Sequence, residues 1–188
     1  MCVEPRAGYG YRLKQVTFTP ANGTRRQILA SLHVAQLFVP YDDGGPRYHD
    51  ISYGVNLAKL TTADCPNGTL MTNSTVCLIR EGRGYAYKND GNGVQAQGER
   101  FKLYGYYGIG AYYYIFQYTF DDAGAIEPAL GASGSLQRFG GSTSTGWPVG
   151  NTIGINHNHL VIWRMNFDLN GSPKTSMDTA SPTRSNPW

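Results

Sequence analysis

Charge is scarce in this chain. Of 188 residues only 16 are lysine or arginine and 13 are aspartate or glutamate, leaving a formal net charge of +3. No basic block interleaves with aromatic residues in the way that tracks a phosphate backbone, so composition argues against a nucleic-acid partner. Long apolar runs are missing too. No stretch reaches the roughly 20 residues of a membrane-spanning helix, and Met1–Gly10 (MCVEPRAGYG) lacks the apolar segment of a secretory leader. Helical periodicity is nearly absent. Histidine is sparse, with four residues, and cysteine sparser, with three. What the chain does hold is 24 glycines, 10 prolines and 14 tyrosines, the composition of turn-rich β structure. The expected fold is therefore all-β, a single domain over 1–188 with antiparallel strands, long loops and little helix.

Along the chain, Ile28–Tyr41 alternates small or polar with apolar residues and ends at Pro40, where a ladder donor is lost. Residues 42–46 are then expected as a turn. The glycine-rich stretch from Glu81 to Gly98 predicts an irregular loop with one short strand at Tyr85–Lys88. From Phe101 to Phe120 the sequence is almost solid tyrosine and apolar residue, and Asp121–Gly124 supplies a hairpin turn into Ala125–Phe139. Gly140–Gly150 is expected as a loop and Ile153–Leu169 as one strand, closed by a turn at Asn170. The polar tail 172–188 is expected as loop or frayed end.

Two of the four histidines, His157 and His159, stand two residues apart inside an apolar run. On a strand, such residues project from one face. Side-by-side imidazoles suit joint coordination of copper or zinc, although a complete site needs a third ligand and a polar pair at a strand end is the plainer alternative. Cys65 and Cys77 flank a turn-rich loop that they could close as a disulfide, or they are two reduced thiols; Cys2 is left over. Acceptor tripeptides for glycosylation begin at Asn22, Asn67, Asn73 and Asn170, and they matter only in the secretory pathway. Taken singly, Asp50 reads as an ordinary turn aspartate and the tyrosines as cross-strand packing.

In combination the motifs say more. VPY at Val39–Tyr41, HDISYG at His49–Gly54, DCPNGT at Asp64–Thr69, VCLIRE at Val76–Glu81, AYYYIFQYTFDDAGAIE at Ala111–Glu127, ASGSLQ at Ala132–Gln137 and NHNHLVIWRMNFDLNG at Asn156–Gly171 follow one order. From about residue 28 to 171 this succession resembles the catalytic domain of the copper amine oxidases. The resemblance implies part of that family's β-sandwich and homodimers when full-length. It also implies a disulfide between Cys65 and Cys77, and an extracellular or secretory location. The activity it implies is oxidation of a small primary amine by dioxygen to aldehyde, ammonia and hydrogen peroxide. In such enzymes a tyrosine is converted by copper and dioxygen to topaquinone, and Tyr112 matches that position. His157 and His159 match two of three copper ligands, Asp50 the catalytic base, and Tyr41 a tyrosine near the cofactor.

This sequence departs from the family pattern in places. Ala111 and Tyr113 replace the asparagine and the acidic residue that flank the cofactor tyrosine, Ser52 replaces a glycine, and no histidine follows His159 to serve as third ligand. The family's small N-terminal domains and later strands have no counterpart, so the resemblance implies a partial domain. The alternative function is a catalytically inactive extracellular β-sandwich module of the same descent.

Overall fold

A computed structural model describes residues 1–6, 8, 10–42, 51, 57–136 and 142–169, and the backbone of 47–49. Among the described residues it is built of β1 (Cys2–Arg6), β2 (Gly10–Phe18), β3 (Arg26–Pro40), β4 (Arg47–His49), β5 (Thr69–Met71), β6 (Val76–Asn89), β7 (Val94–Ile109), β8 (Tyr112–Asp121), β9 (Ile126–Gly134), β10 (Gly146–Val149), β11 (Thr152–Ile155) and β12 (Leu160–Phe167). One sheet runs β1-β2-β3-β12 with β4 also on β3, a second runs β5-β6-β7-β8-β9, and β10-β11 is a separate ribbon. All these pairings are antiparallel.

The two large sheets face each other across one apolar layer. Tyr11, Leu13, Leu29, Leu32, Val34 and Leu37 of the first sheet pack with Leu103, Tyr107, Tyr114, Phe116 and Tyr118 of the second. At roughly 25 cal/mol per Å² of apolar surface, this burial is the main force holding the sheets together. Tyr11 spans the layer, its hydroxyl lying 3.2 Å from the carbonyls of Leu103 and Phe116.

On β8 the alternation is regular, with Tyr114, Phe116 and Tyr118 buried and Tyr113 and Ile115 exposed. On β3 it is not, because the buried residues fall at 29, 32, 34, 37 and 39. The register against β12 explains the change of phase. Ile162 pairs with Gln36 and Trp163 with Val34, then Asn166 with Ser31 and Phe167 with Leu29, so Ala35 and Ala30 are squeezed out as bulges. Each bulge turns the following side chains over and keeps the leucines inward.

Three expectations need correction. The expected loop from Glu81 to Gly98 is a long ribbon, in which β6 and β7 pair from Cys77↔Tyr104 to Asn89↔Val94. Most of its far end is exposed on both faces, so backbone hydrogen bonds rather than a buried side hold it and no alternation marks it. Within the expected loop 140–150, Gly146–Val149 is strand, paired with Thr152–Ile155. The single strand expected over 153–169 is two strands, β11 and β12, interrupted at 156–159. Strands β1 and β2 were not anticipated. The turn at Asp121–Gly124 is as read: the Asp121 carboxylate accepts from the amides of Ala123 and Ala125, and Gly124 has φ +94°. The strand after it ends at Gly134, and 137–141, Asn170 and the tail 172–188 lie outside the described residues.

Candidate functional site

The histidines sit in the interruption between β11 and β12, and the end of β3 holds that segment. Tyr41 makes an isolated antiparallel bridge to His157. The Asp42 amide donates to the Asn156 carbonyl at 3.0 Å, and the Asn158 amide donates to the Pro40 carbonyl at 3.2 Å. The segment therefore keeps an extended course across the gap, and both imidazoles turn toward the inner end of β8.

Two tyrosines of β8 meet them there. The Tyr112 hydroxyl is 2.8 Å from His157 Nε2, and the Tyr114 hydroxyl is 2.7 Å from His159 Nδ1. The other nitrogen of His157, Nδ1, is 2.8 Å from the Ile155 carbonyl. A carbonyl only accepts, so Nδ1 carries the proton; in the neutral ring Nε2 is the acceptor and Tyr112 donates to it. The two imidazole centroids are 4.8 Å apart, and Tyr112 lies 4.8 Å from the His159 ring, edge to face. Tyr41 stacks on the His157 ring. Tyr114 and Tyr41 are buried, and both imidazoles are half-buried. Burial, and then the neighbouring His157, push the pKa of His159 below the ordinary histidine value, which favours the neutral ring with a free lone pair.

Of the residues singled out in the sequence, Tyr41, Tyr112, His157 and His159 thus come together within hydrogen-bonding and stacking distance. Asp50 lies outside the described residues. The disulfide expectation holds, since Cys65 and Cys77 are bonded, but they pack with Leu60, Tyr104 and Tyr106 on the far face of the second sheet. Cys2 is free and exposed. Asn22, Asn67 and Asn73 are exposed, as an acceptor site requires. Sequence reasoning assigned Tyr114 to packing only. The signal was present: Tyr112 and Tyr114 are two apart, as are His157 and His159, so a strand and an extended segment presenting matched faces bring both pairs together.

Among the described residues no group of three or more histidine, cysteine, aspartate and glutamate side chains converges, so the two imidazoles are the metal-ligating donors gathered here. No helix among them is long and apolar enough to cross a membrane.

The family described as "Copper amine oxidase, enzyme domain" matches residues 1–188. Among curated proteins, the copper-containing amine oxidase alpha 2 of Arabidopsis thaliana, described as peroxisomal, is 26% identical over 100% of this chain and 34% of its own length. The primary amine oxidase of Pisum sativum is 22% identical, over 82% of this chain and 29% of its own. Among solved structures, the Pichia pastoris lysyl oxidase superposes with a TM-score of 0.75 at 22% identity, covering 90% of this chain and 26% of that one. The copper-containing benzylamine oxidase of Hansenula polymorpha gives 0.72 at 23%, covering 88% and 30%. The chain thus spans about a third of the length of the curated relatives it matches.

Proposed function

Because this chain belongs to the copper amine oxidase family, we propose that it is the part of a primary-amine oxidase that bears the cofactor tyrosine, Tyr112, and two copper-ligating histidines, His157 and His159. The observation that carries this reading is the contact of the Tyr112 hydroxyl with His157 Nε2 at 2.8 Å, with His159 alongside. A phenol destined for oxidation at a metal must sit next to the metal's ligands, and this one does.

Two of the three imidazole ligands that the family's copper takes are supplied by His157 and His159, and their chemistry suits that ion. Metal-bound imidazoles generally engage their second nitrogen with a carbonyl or another polar group, which fixes the ring and leaves one lone pair for the ion. His157 does so through Ile155 and His159 through Tyr114. Imidazole is also a preferred ligand of copper. When bound, copper with dioxygen would supply the oxidation that turns the Tyr112 ring into topaquinone, the carbonyl reagent for a primary amine.

Around that group the chain's own residues have distinct tasks. Tyr41 covers one face of His157 and excludes water from it. Asp50 is assigned the removal of the substrate's α-proton, a role that an apolar setting favours by raising a carboxyl's pKa toward neutrality. The net reaction consumes a primary amine, dioxygen and water and yields aldehyde, ammonia and hydrogen peroxide.

A homodimer in the full-length protein and an extracellular or secretory location complete the proposal. The Cys65–Cys77 disulfide and the exposed acceptor residues Asn22, Asn67 and Asn73 support the oxidising compartment.

The experiment is aerobic loading with copper, followed by phenylhydrazine. Wild type is expected to bind copper and give the coloured quinone adduct, whereas Tyr112→Phe binds copper and gives none. A quinone that persists in Tyr112→Phe would overturn the assignment of the cofactor residue. Copper uptake without quinone in wild type would favour the inactive module instead.

A further inference from the structure

The two tyrosines of β8 look equivalent in sequence but meet the histidines through different nitrogens. Tyr112 contacts His157 at Nε2, the nitrogen left over once Nδ1 is engaged with the Ile155 carbonyl. A metal bound to His157 through Nε2 would take the place of that hydrogen bond, so Tyr112 stands on the metal side. Tyr114 contacts His159 at Nδ1 instead. It stands behind the ring, where Ile155 stands for His157.

We propose that Tyr114 is a positioning residue: its buried hydroxyl accepts from His159 Nδ1–H, holding that imidazole in the tautomer that offers Nε2 to the metal shared with His157. The inference rests on the copper reading above and goes beyond it by giving a task to a residue that packing alone would not require. Phe116, the next inward position on β8, is as buried as Tyr114 and stacks on Tyr107 without any hydroxyl. A phenylalanine would fill position 114 equally well for the core. The hydroxyl matters because it ends 2.7 Å from the ring nitrogen of a half-buried histidine, within ordinary hydrogen-bond distance, with the two rings at 67° and their centroids 5.4 Å apart. Among the described residues it is Tyr114, and not a backbone carbonyl, that engages His159 Nδ1, whereas Ile155 engages that of His157.

The asymmetry also separates the two tyrosines chemically. A hydroxyl on the Nδ1 side faces away from a metal held through Nε2, so Tyr114 is not a second site of oxidation. The same spacing of two residues, on β8 and on the extended histidine segment, that brings Tyr112 to His157 brings Tyr114 to the back of His159.

The test compares wild type with Tyr114→Phe, using Tyr113→Phe, on the exposed face of β8, as control. Copper affinity by competition with a chromogenic chelator is expected to fall about 10- to 100-fold in Tyr114→Phe and to stay unchanged in Tyr113→Phe, with an altered Cu(II) EPR spectrum in the former only. Ring ¹⁵N shifts in the metal-free wild type should report His159 as the Nδ1–H tautomer. That measurement decides the matter even if Tyr114→Phe does not fold, because an Nε2–H ring in wild type overturns the inference. If Tyr114→Phe matches wild type in affinity and spectrum, the inference falls and the copper reading stands; if wild type takes up no copper, both fall.

Discussion

Tyr41 lies face to face with His157, the ring centroids 4.7 Å apart and the planes inclined by only 24°. Tyr41 is also 2% exposed, so it contributes both core burial and a wall beside the His157 ring. Tyr41→Ala is expected to cost about 3 kcal/mol of stability, the usual scale for truncating a buried aromatic. It should weaken copper binding as well, whereas Tyr41→Phe keeps the stack and most of both. Thermal denaturation and chelator competition on the same samples check this.

Gly134 pairs with Tyr112 across β8 and β9 and has φ +137°. A Cβ there would lie 2.1 Å from the Ala111 carbonyl oxygen and 2.9 Å from the Tyr112 Cα. Gly134→Ala should therefore destabilise the fold by more than about 1 kcal/mol and displace Tyr112. Gly82→Ala, where nothing lies within 4 Å, should stay within about 0.5 kcal/mol. Denaturant midpoints for the pair, with quinone yield as the local readout, separate the two outcomes.

The Cys65–Cys77 bond closes a loop of sequence separation 12. Loop-closure entropy puts the cost of removing it near 3 kcal/mol, so Cys65→Ser/Cys77→Ser should unfold at lower denaturant. The bond packs on the far face of the sheet that carries Tyr112. Copper affinity of the folded variant should consequently be unaltered.

Glu4 sits among Arg12, Arg6 and Lys14 on the outer side of the first sheet. The hydrogen bond from Arg12, followed by the charges of Arg6 and Lys14, holds its pKa down at about 2, against an ordinary 4.5. A carboxyl lowered on folding adds stability that is fully present above its unfolded value and fades as pH falls from about 4.5 toward about 2. Its titration by carbon NMR should have a midpoint near 2, and Arg12→Ala should move that midpoint upward. Added salt should move it upward too, since the group is at the surface.

Legibility in the sequence followed one-sided burial. The strand Arg26–Pro40 was readable because its leucines and valines face a core, although the bulges at Ala30 and Ala35 leave only small residues as their trace. The ribbon from Gly82 to Gly98 was not, since wetting on both faces erases the period of two. At the site, the spacing of His157 and His159 conveyed a shared face, but the segment 156–159 that interrupts the strand is held by the Asn158 amide donating to the Pro40 carbonyl and the Asp42 amide donating to the Asn156 carbonyl, partners more than a hundred residues apart. Tyr114 was hidden by its own burial: an inward tyrosine in a β core has a sufficient explanation until the nitrogen beyond its hydroxyl is known.

Tyr112 opens β8, immediately after the Gly110 turn, with its backbone in register with Ile109 on one side and Gly134 on the other. Its main chain is thus clamped by two neighbouring ladders. Any rearrangement that the ring undergoes on changing partners must come from torsion about its side-chain bonds, with the Cα as a stationary pivot. Swivelling of the ring, rather than travel of the strand, is the freedom that this scaffold grants.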